Sequence, residues 1–256
     1  MITSTSNTQI KNVINLIKKS KDRKAQGLFV VEGKRMFEET PKERIHSLFV
    51  SESFERANKD SLRGYAYELV ADDVFSHMSD TKTPQGVMAL VKMSEYSIED
   101  MLKGGNPLIM ILENLQDPGN LGTIIRTAEG AGVDGIIMTS GTVDIYNPKV
   151  IRSTMGAMYR MKYAYTDNLK EAAAFLKSRG ITTYAAHLQG AVDYVTYDYK
   201  KGTAFFIGNE GNGLTDEATA LADRKIIIPM MGKLESLNAA VSGAVLMYEA
   251  ARQRRA

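Results

Sequence analysis

The 256-residue chain contains no cysteine. That absence excludes a structural disulfide, a thiolate nucleophile and a cysteine-ligated zinc, and it fits a cytoplasmic protein. No apolar run approaches the roughly 20 residues that a membrane helix needs. Met1 leads into Thr, Ser and Asn rather than an apolar segment, so no secretory signal is expected. Net charge is scarce too. The 32 basic and 30 acidic residues leave +2, which does not mark a nucleic-acid binder. Histidine is limited to His46, His77 and His187, and each reads as packing or surface. No metal site is expected, and no internal repeat or low-complexity tract is visible. What remains is ordinary: 44% apolar and 24% charged residues, in a length that suits one large domain or two smaller ones.

The distribution of charge says more than its sum. Lys11, Lys18, Lys19, Lys21, Arg23 and Lys24 face only Asp22 within the first 24 residues, and the chain closes on Arg252, Arg254 and Arg255. Such a patch either neutralises phosphates or decorates a solvated helix end. Ile10, Val13, Ile14 and Ile17 recur at helical spacing and predict an amphipathic first helix running into the lysines. Short strands are expected at Leu28–Val31, Ser47–Ser51 and Gly86–Val91, with helices at Lys34–Glu39 and Asp72–Met78 between them. Residues 1–95 therefore read as a small α/β domain, and 96–106, ending in Gly104-Gly105-Asn106-Pro107, as a linker. From 107 to 256 the grammar changes. Continuous apolar runs at Leu108–Leu112, Gly135–Met138, Met161–Tyr165, Ile181–Ala186, Ala204–Ile207 and Lys225–Ile228 alternate with helical patterns. Those patterns cover Leu121–Ala131, Asn168–Arg179, Asp216–Ala222 and Leu237–Arg254. Alternation of this kind predicts an α/β fold with a mostly parallel sheet.

Gly130-Ala131-Gly132-Val133-Asp134-Gly135 spells the dinucleotide pattern G-x-G-x-x-G. The mechanism needs those glycines after a strand and opening a helix. Here they leave a helix and enter a strand, so they read as an ordinary turn, and a nicotinamide cofactor is rejected. Three other loops lie where parallel sheets bind ligands, at strand carboxyl ends. The first is Asp117-Pro118-Gly119-Asn120-Leu121-Gly122, with Arg126 about 140° around the following helix from Leu121 at roughly 100° per residue. The apolar stripe of that helix is Leu121, Ile124, Ile125 and Ala128. The second loop is Gly208-Asn209-Glu210-Gly211. The third runs from Ile228-Pro229-Met230 to Ser236-Leu237-Asn238, ahead of a helix carrying Leu237, Val241, Val245 and Tyr248 on one face. Asn120 and Ser236 either cap their helices or face a ligand, and Arg126 either pairs at the surface or serves the site.

Asn120, Arg126, Glu210, Ser236 and Asn238, in this order and spacing, resemble the signature residues of the SpoU family. That family comprises S-adenosylmethionine-dependent RNA ribose 2′-O-methyltransferases of the SPOUT superfamily. Arg126-Thr127-Ala128, Phe29-Val30-Val31-Glu32-Gly33 and Thr83-Pro84-Gln85-Gly86-Val87 extend the resemblance over nearly the whole chain. It implies a trefoil knot in the C-terminal domain, a rare exception to un-knotted connections, and a homodimer through that domain. It implies S-adenosylmethionine held by Gly208, Ile228 and Leu237, with Asn120, Arg126, Glu210, Ser236 and Asn238 as the catalytic set. Arginine stays protonated, so the implied role of Arg126 is to grip a phosphate and stabilise a developing alkoxide. The small N-terminal domain becomes the RNA-binding part, with Lys18, Lys19, Lys21, Arg23 and Lys24 as RNA contacts. Large-subunit ribosomal RNA is the expected substrate. Transfer RNA, a non-catalytic dimeric RNA-binding module and a nucleotide-using small-molecule enzyme are the alternatives.

Overall fold

A computed structural model describes residues 1–189 and 191–255; Ala256, the end of the expected C-terminal domain, lies outside them. The chain forms two compact units. One comprises Met1–Ser94 with Asp144–Tyr159, and the other Glu95–Val143 with the chain from Arg160 onward.

In the first unit, strands β1 (Leu28–Glu32), β2 (Ile45–Ser51), β3 (Glu68–Val70) and β4 (Val87–Lys92) form a sheet in the order β1-β4-β2-β3. β4 runs antiparallel to β1 and β2, while β3 lies parallel to β2. The first helix, Thr8–Lys18, starts where the Asn7 side chain accepts from the Gln9 amide at 2.8 Å. Of its predicted stripe, Ile10, Val13 and Ile17 are buried and Ile14 partly so; Leu16 joins them, and they pack among Phe49, Val74, Phe75 and Met88. A second helix, Ser20–Gln26, follows and ends on Gly27 at φ 64°. The basic cluster is thus shared between two helices.

Asp144–Tyr159, expected with the C-terminal part, clusters with this unit instead. The cause is a set of specific contacts between residues far apart in sequence. Tyr146 stacks against Phe29 at 4.4 Å between centroids, and the Tyr159 hydroxyl shares a 2.7 Å hydrogen bond with Thr40. Asp144 receives the Arg23 guanidinium and the Ser20 hydroxyl.

The second unit is built on strands β5 (Leu108–Leu112), β6 (Gly135–Thr139), β7 (Tyr163–Thr166), β8 (Thr182–Ala186), β9 (Val192–Asp193), β10 (Thr203–Ile207) and β11 (Arg224–Ile227). Their order is β7-β6-β5-β10-β8-β11-β9, and each pairing is parallel. β5 and β10 lie in the interior, and every residue of both is buried, as their continuous apolar runs require. Helix Pro118–Ala131 buries Leu121, Ile124, Ile125 and Ala128 completely. It ends at Gly132, φ 75°, before β6 begins, so the G-x-G-x-x-G string is a helix-to-strand turn. Because the strands are parallel, the segments leaving β5, β8, β10 and β11 emerge on one edge of the sheet.

Candidate active site

The loop after β5 turns into helix Pro118–Ala131 through Asp117, whose side chain accepts from the Asn120 amide at 2.8 Å, with Pro118 at the first helical position. Asp117 therefore does the capping, and the Asn120 side chain is free for another task. Its Nδ2 donates to Glu210 at 3.0 Å, and its Oδ1 accepts from Asn238 Nδ2 at 3.0 Å. Glu210 also accepts from the amides of Asp117 at 2.9 Å and Gln116 at 3.1 Å. Desolvation pushes the Glu210 carboxyl up, but the bonds from Asn120, Gln116 and Asp117 outweigh it and hold it below its ordinary value. The result is a bonded line, Asn238–Asn120–Glu210, joining residues 118 positions apart.

Asn238, not Ser236, caps the last helix, Ala239–Arg255, by accepting from the amides of Ala240 and Val241 at 2.9 and 3.3 Å. Ser236 makes no hydrogen bond among the described residues and lines a cavity of about 530 Å³. Gly208, Glu210, Ile228 and Leu237 line the same cavity, so the second and third loops do converge. Gly208 is required sterically: a Cβ there would sit 2.1 Å from the carbonyl carbon of Gly213. The loop closes on itself through paired backbone bonds between Asn209 and Gly213. The cavity wall also includes His187, expected at the surface or in packing. The parallel-strand rule would have found it, since it follows β8 directly. Among the described residues the lining carries three carboxylates, Glu210, Asp216 and Glu235, but no lysine or arginine. That chemistry suits a ligand with positive charge rather than a pyrophosphate.

Arg126 stands apart. It is exposed on the helix that carries Asn120, lies outside the cavity lining, and its side chain makes no hydrogen bond or ion pair among the described residues. In the first unit, Lys18, Lys19, Lys21 and Lys24 are exposed, Lys19 with an ion pair to Asp22 at 3.8 Å. Arg23 is the correction: it is 4% exposed, donates to the carbonyls of Leu16 and Ile17, and pairs with Asp144 at 2.5 Å. Its guanidinium is a structural tie rather than an RNA contact. Among the described residues no helix is long and apolar enough to cross a membrane.

Comparison with known proteins is consistent along the chain. The profile of the SpoU rRNA Methylase family matches residues 107–248, and that of the MRM3-like substrate binding domain matches residues 7–89. The chain is 32% identical to the 23S rRNA (guanosine(2553)-2′-O)-methyltransferase RlmP of Bacillus subtilis, over 96% of this chain and 97% of that one. It is 41% identical to the tRNA (guanosine(18)-2′-O)-methyltransferase of Thermus thermophilus over 61% of this chain and 81% of that one. The AdoMet-bound rRNA methyltransferase of Sinorhizobium meliloti superimposes with a TM-score of 0.86 at 31% identity, covering 98% of this chain and 97% of the other. The chain belongs to the SpoU rRNA methylase family.

Proposed function

We propose that the chain transfers a methyl group from S-adenosylmethionine to a ribose 2′-hydroxyl of large-subunit ribosomal RNA. The observation that carries this reading is the cavity framed by Gly208, Ile228 and Leu237, whose lining among the described residues carries carboxylates without a lysine or arginine and shares Glu210 with the Asn238–Asn120–Glu210 line. A nucleoside bearing a sulfonium and an ammonium group fits such a wall better than a phosphorylated one. When bound, the cofactor supplies a methyl group already activated by the sulfonium.

The protein then has to present the nucleophile. Arg126, exposed and with its side chain unpaired among the described residues, grips the phosphate beside the target ribose and stabilises the oxygen as it gains charge. Glu210, Asn120 and Asn238 fix the ribose against it, and Ser236 on the cavity wall donates to the substrate. The acceptor nucleotide must be unstacked, so a loop or bulge is the target. The first unit, through Lys18, Lys19, Lys21 and Lys24, selects the RNA, and the protein works in the cytoplasm. The chain is proposed to be knotted through the segments after β10 and β11, and to act as a homodimer. The face of helix Ala239–Arg255 that carries Val241 and Tyr248, 47% and 48% exposed, supports the dimer reading.

Similarity to the tRNA enzyme covers 61% of this chain, whereas similarity to the 23S rRNA enzyme covers 96% of it. This favours ribosomal RNA. The test is incubation with methyl-labelled S-adenosylmethionine and unmodified total RNA, followed by size fractionation and nucleoside analysis. Label in the large-subunit band, as a single 2′-O-methylribose, is expected. Label in transfer RNA would redirect the substrate. Cofactor binding without any transfer would favour the binding-only reading.

A further inference from the structure

Asn114 lies two residues beyond β5 and has φ 51°, a left-handed conformation shared among non-glycine described residues only by Met155. Asparagine tolerates that region better than most side chains. The conformation makes the residue a junction between three strand exits. Toward β6, the Asn114 amide donates to the Thr139 hydroxyl at 2.9 Å, and that hydroxyl donates back to Asn114 Oδ1 at 3.0 Å. Toward β10, the Asn114 carbonyl accepts from Asn209 Nδ2 at 2.8 Å. Toward its own helix, the same carbonyl accepts from Gln116 Nε2 at 3.2 Å, and Gln116 Nε2 also donates to the carbonyl of Gly141. The fit is tight: a Cβ on Gly141 would lie 2.1 Å from Asn114 Oδ1.

The junction stands directly behind the reacting groups. Asn209 is the neighbour of Glu210, and the Gln116 amide is one of the Glu210 donors. Residues 114 to 117 are thereby fastened along 209 and 210 by three bonds, from Asn209 to Asn114 and from Gln116 and Asp117 to Glu210. Asn114 itself does not line the cavity. We infer that Asn114 is a positioning residue for methyl transfer, its left-handed backbone setting the register between the Glu210 loop and the helix that carries Asn120 and Arg126. This rests on the catalytic reading of those residues, and it places the effect of Asn114 on turnover rather than on cofactor affinity.

The test uses the full chain with Asn114→Ala, Asn114→Gly, Asn209→Ala and Thr139→Val. Each variant is assayed for kcat on the unmodified form of the target RNA and for S-adenosylmethionine Kd by calorimetry, with thermal melts as the folding control. Asn114→Ala is expected to lower kcat about a hundredfold, the scale of a small misplacement of reacting groups, with cofactor Kd unchanged. Asn114→Gly, which keeps the backbone conformation free of strain, recovers most of the lost rate. Asn209→Ala removes the donor to the Asn114 carbonyl and is expected to lower kcat too; because its side chain also holds the Gly211 and Asn212 amides and lines the cavity, its Kd is read separately. Parental kcat in Asn114→Ala, a Gly variant as slow as the Ala variant, or an Asn114→Ala Kd that worsens in step with kcat would each overturn the inference. Should Asn114→Ala not fold, Thr139→Val decides: it removes both bonds of the Thr139 hydroxyl to Asn114 from outside the cavity lining, and parental kcat in it would overturn the inference. A parent that binds cofactor but transfers nothing would instead sink the catalytic reading.

Discussion

A pair of arginines, one in each unit, shows two opposite uses of a charged side chain. Arg23 in the first unit is buried against two backbone carbonyls and Asp144. Arg126 in the second is exposed, and its side chain is bonded to nothing among the described residues. Both stand on helices, and both belong to motifs that point to RNA chemistry. The acids differ in place rather than in bonding, since each accepts three internal hydrogen bonds. Glu32 is occupied within its own unit by Ser79, Asp80 and Thr81, whereas Glu210 organises the loops around a cavity. Of the two arginines, the one that completes a fold has its hydrogen bonds filled internally, and the one proposed to meet a substrate keeps capacity in reserve. Burial and bonding separate the two classes where residue type does not.

The sharpest way to break this comparison is to remove the free arginine. Arg126→Ala should lower methyl transfer by about a hundredfold to a thousandfold, the scale of losing one donor to a developing oxyanion. Thermal stability and S-adenosylmethionine affinity should stay as in the parent, since the side chain supports neither. A comparable loss of stability would move Arg126 into the structural class. The mirror experiment removes the occupied arginine. Arg23→Ala strands Asp144 and two carbonyls and should destabilise the protein by about 3 kcal/mol, read by denaturant unfolding. RNA affinity of the folded fraction should not change. Alanine at Lys18, Lys21 and Lys24 together should do the reverse, weakening RNA binding and flattening its salt dependence while leaving stability unchanged.

These outcomes bear on what can be read from sequence at all. The stripe Leu121, Ile124, Ile125, Ala128 and the runs of β5 and β10 are legible because each element buries its own periodic residues. The convergence of Gly208, Glu210, Ile228, Ser236 and Leu237 is legible too, because parallel strands send their exits to one edge. Capping is less so. Asp117 and Asn238 cap, while Asn120 and Ser236, equally eligible by type, do not. Only the local path of the backbone distinguishes them. The placement of Asp144–Tyr159 is not legible, since the pair that ties it down, Arg23 and Asp144, is 121 residues apart with no periodic trace. β3 and β9, of three and two residues, are too short to carry a pattern.

A milder perturbation sharpens the reading of Glu210. Its folded-state pKa is depressed, so its bonds contribute fully above the unfolded value and are lost as pH falls through the lower, folded one. The window therefore lies below the ordinary glutamate value of 4.5. From neutral pH down to that value, hydrogen-exchange protection of the Gln116 and Asp117 amides should not change through Glu210. In Glu210→Gln, which presents an amide to three donors, protection should already be reduced at pH 7. Full protection in that variant would mean the loop is held by Asn209 and Asn114 alone.

The smallest expected effect comes from a group that fits neither class. Thr219, on helix Asp216–Leu221, is 4% exposed, and its hydroxyl is the buried side-chain oxygen or nitrogen left without a partner among the described residues. It does not line the cavity, so no ligand satisfies it there. Burying an unpaired hydroxyl costs free energy that an apolar group of similar shape avoids. Thr219→Val should therefore raise stability by about 1 kcal/mol, or roughly 2–4 °C in Tm for a chain of this size. Transfer activity should stay as in the parent, because Glu113, not Thr219, holds the start of this helix through Thr215, at 2.9 Å to the amide and 2.7 Å to the hydroxyl. A destabilised valine variant would show that the hydroxyl has a partner in solution. The second unit would then, like the first, leave no buried polar side chain unpaired among the described residues, and its open capacity would lie at the surface, at Arg126 and at Ser236 on the cavity wall.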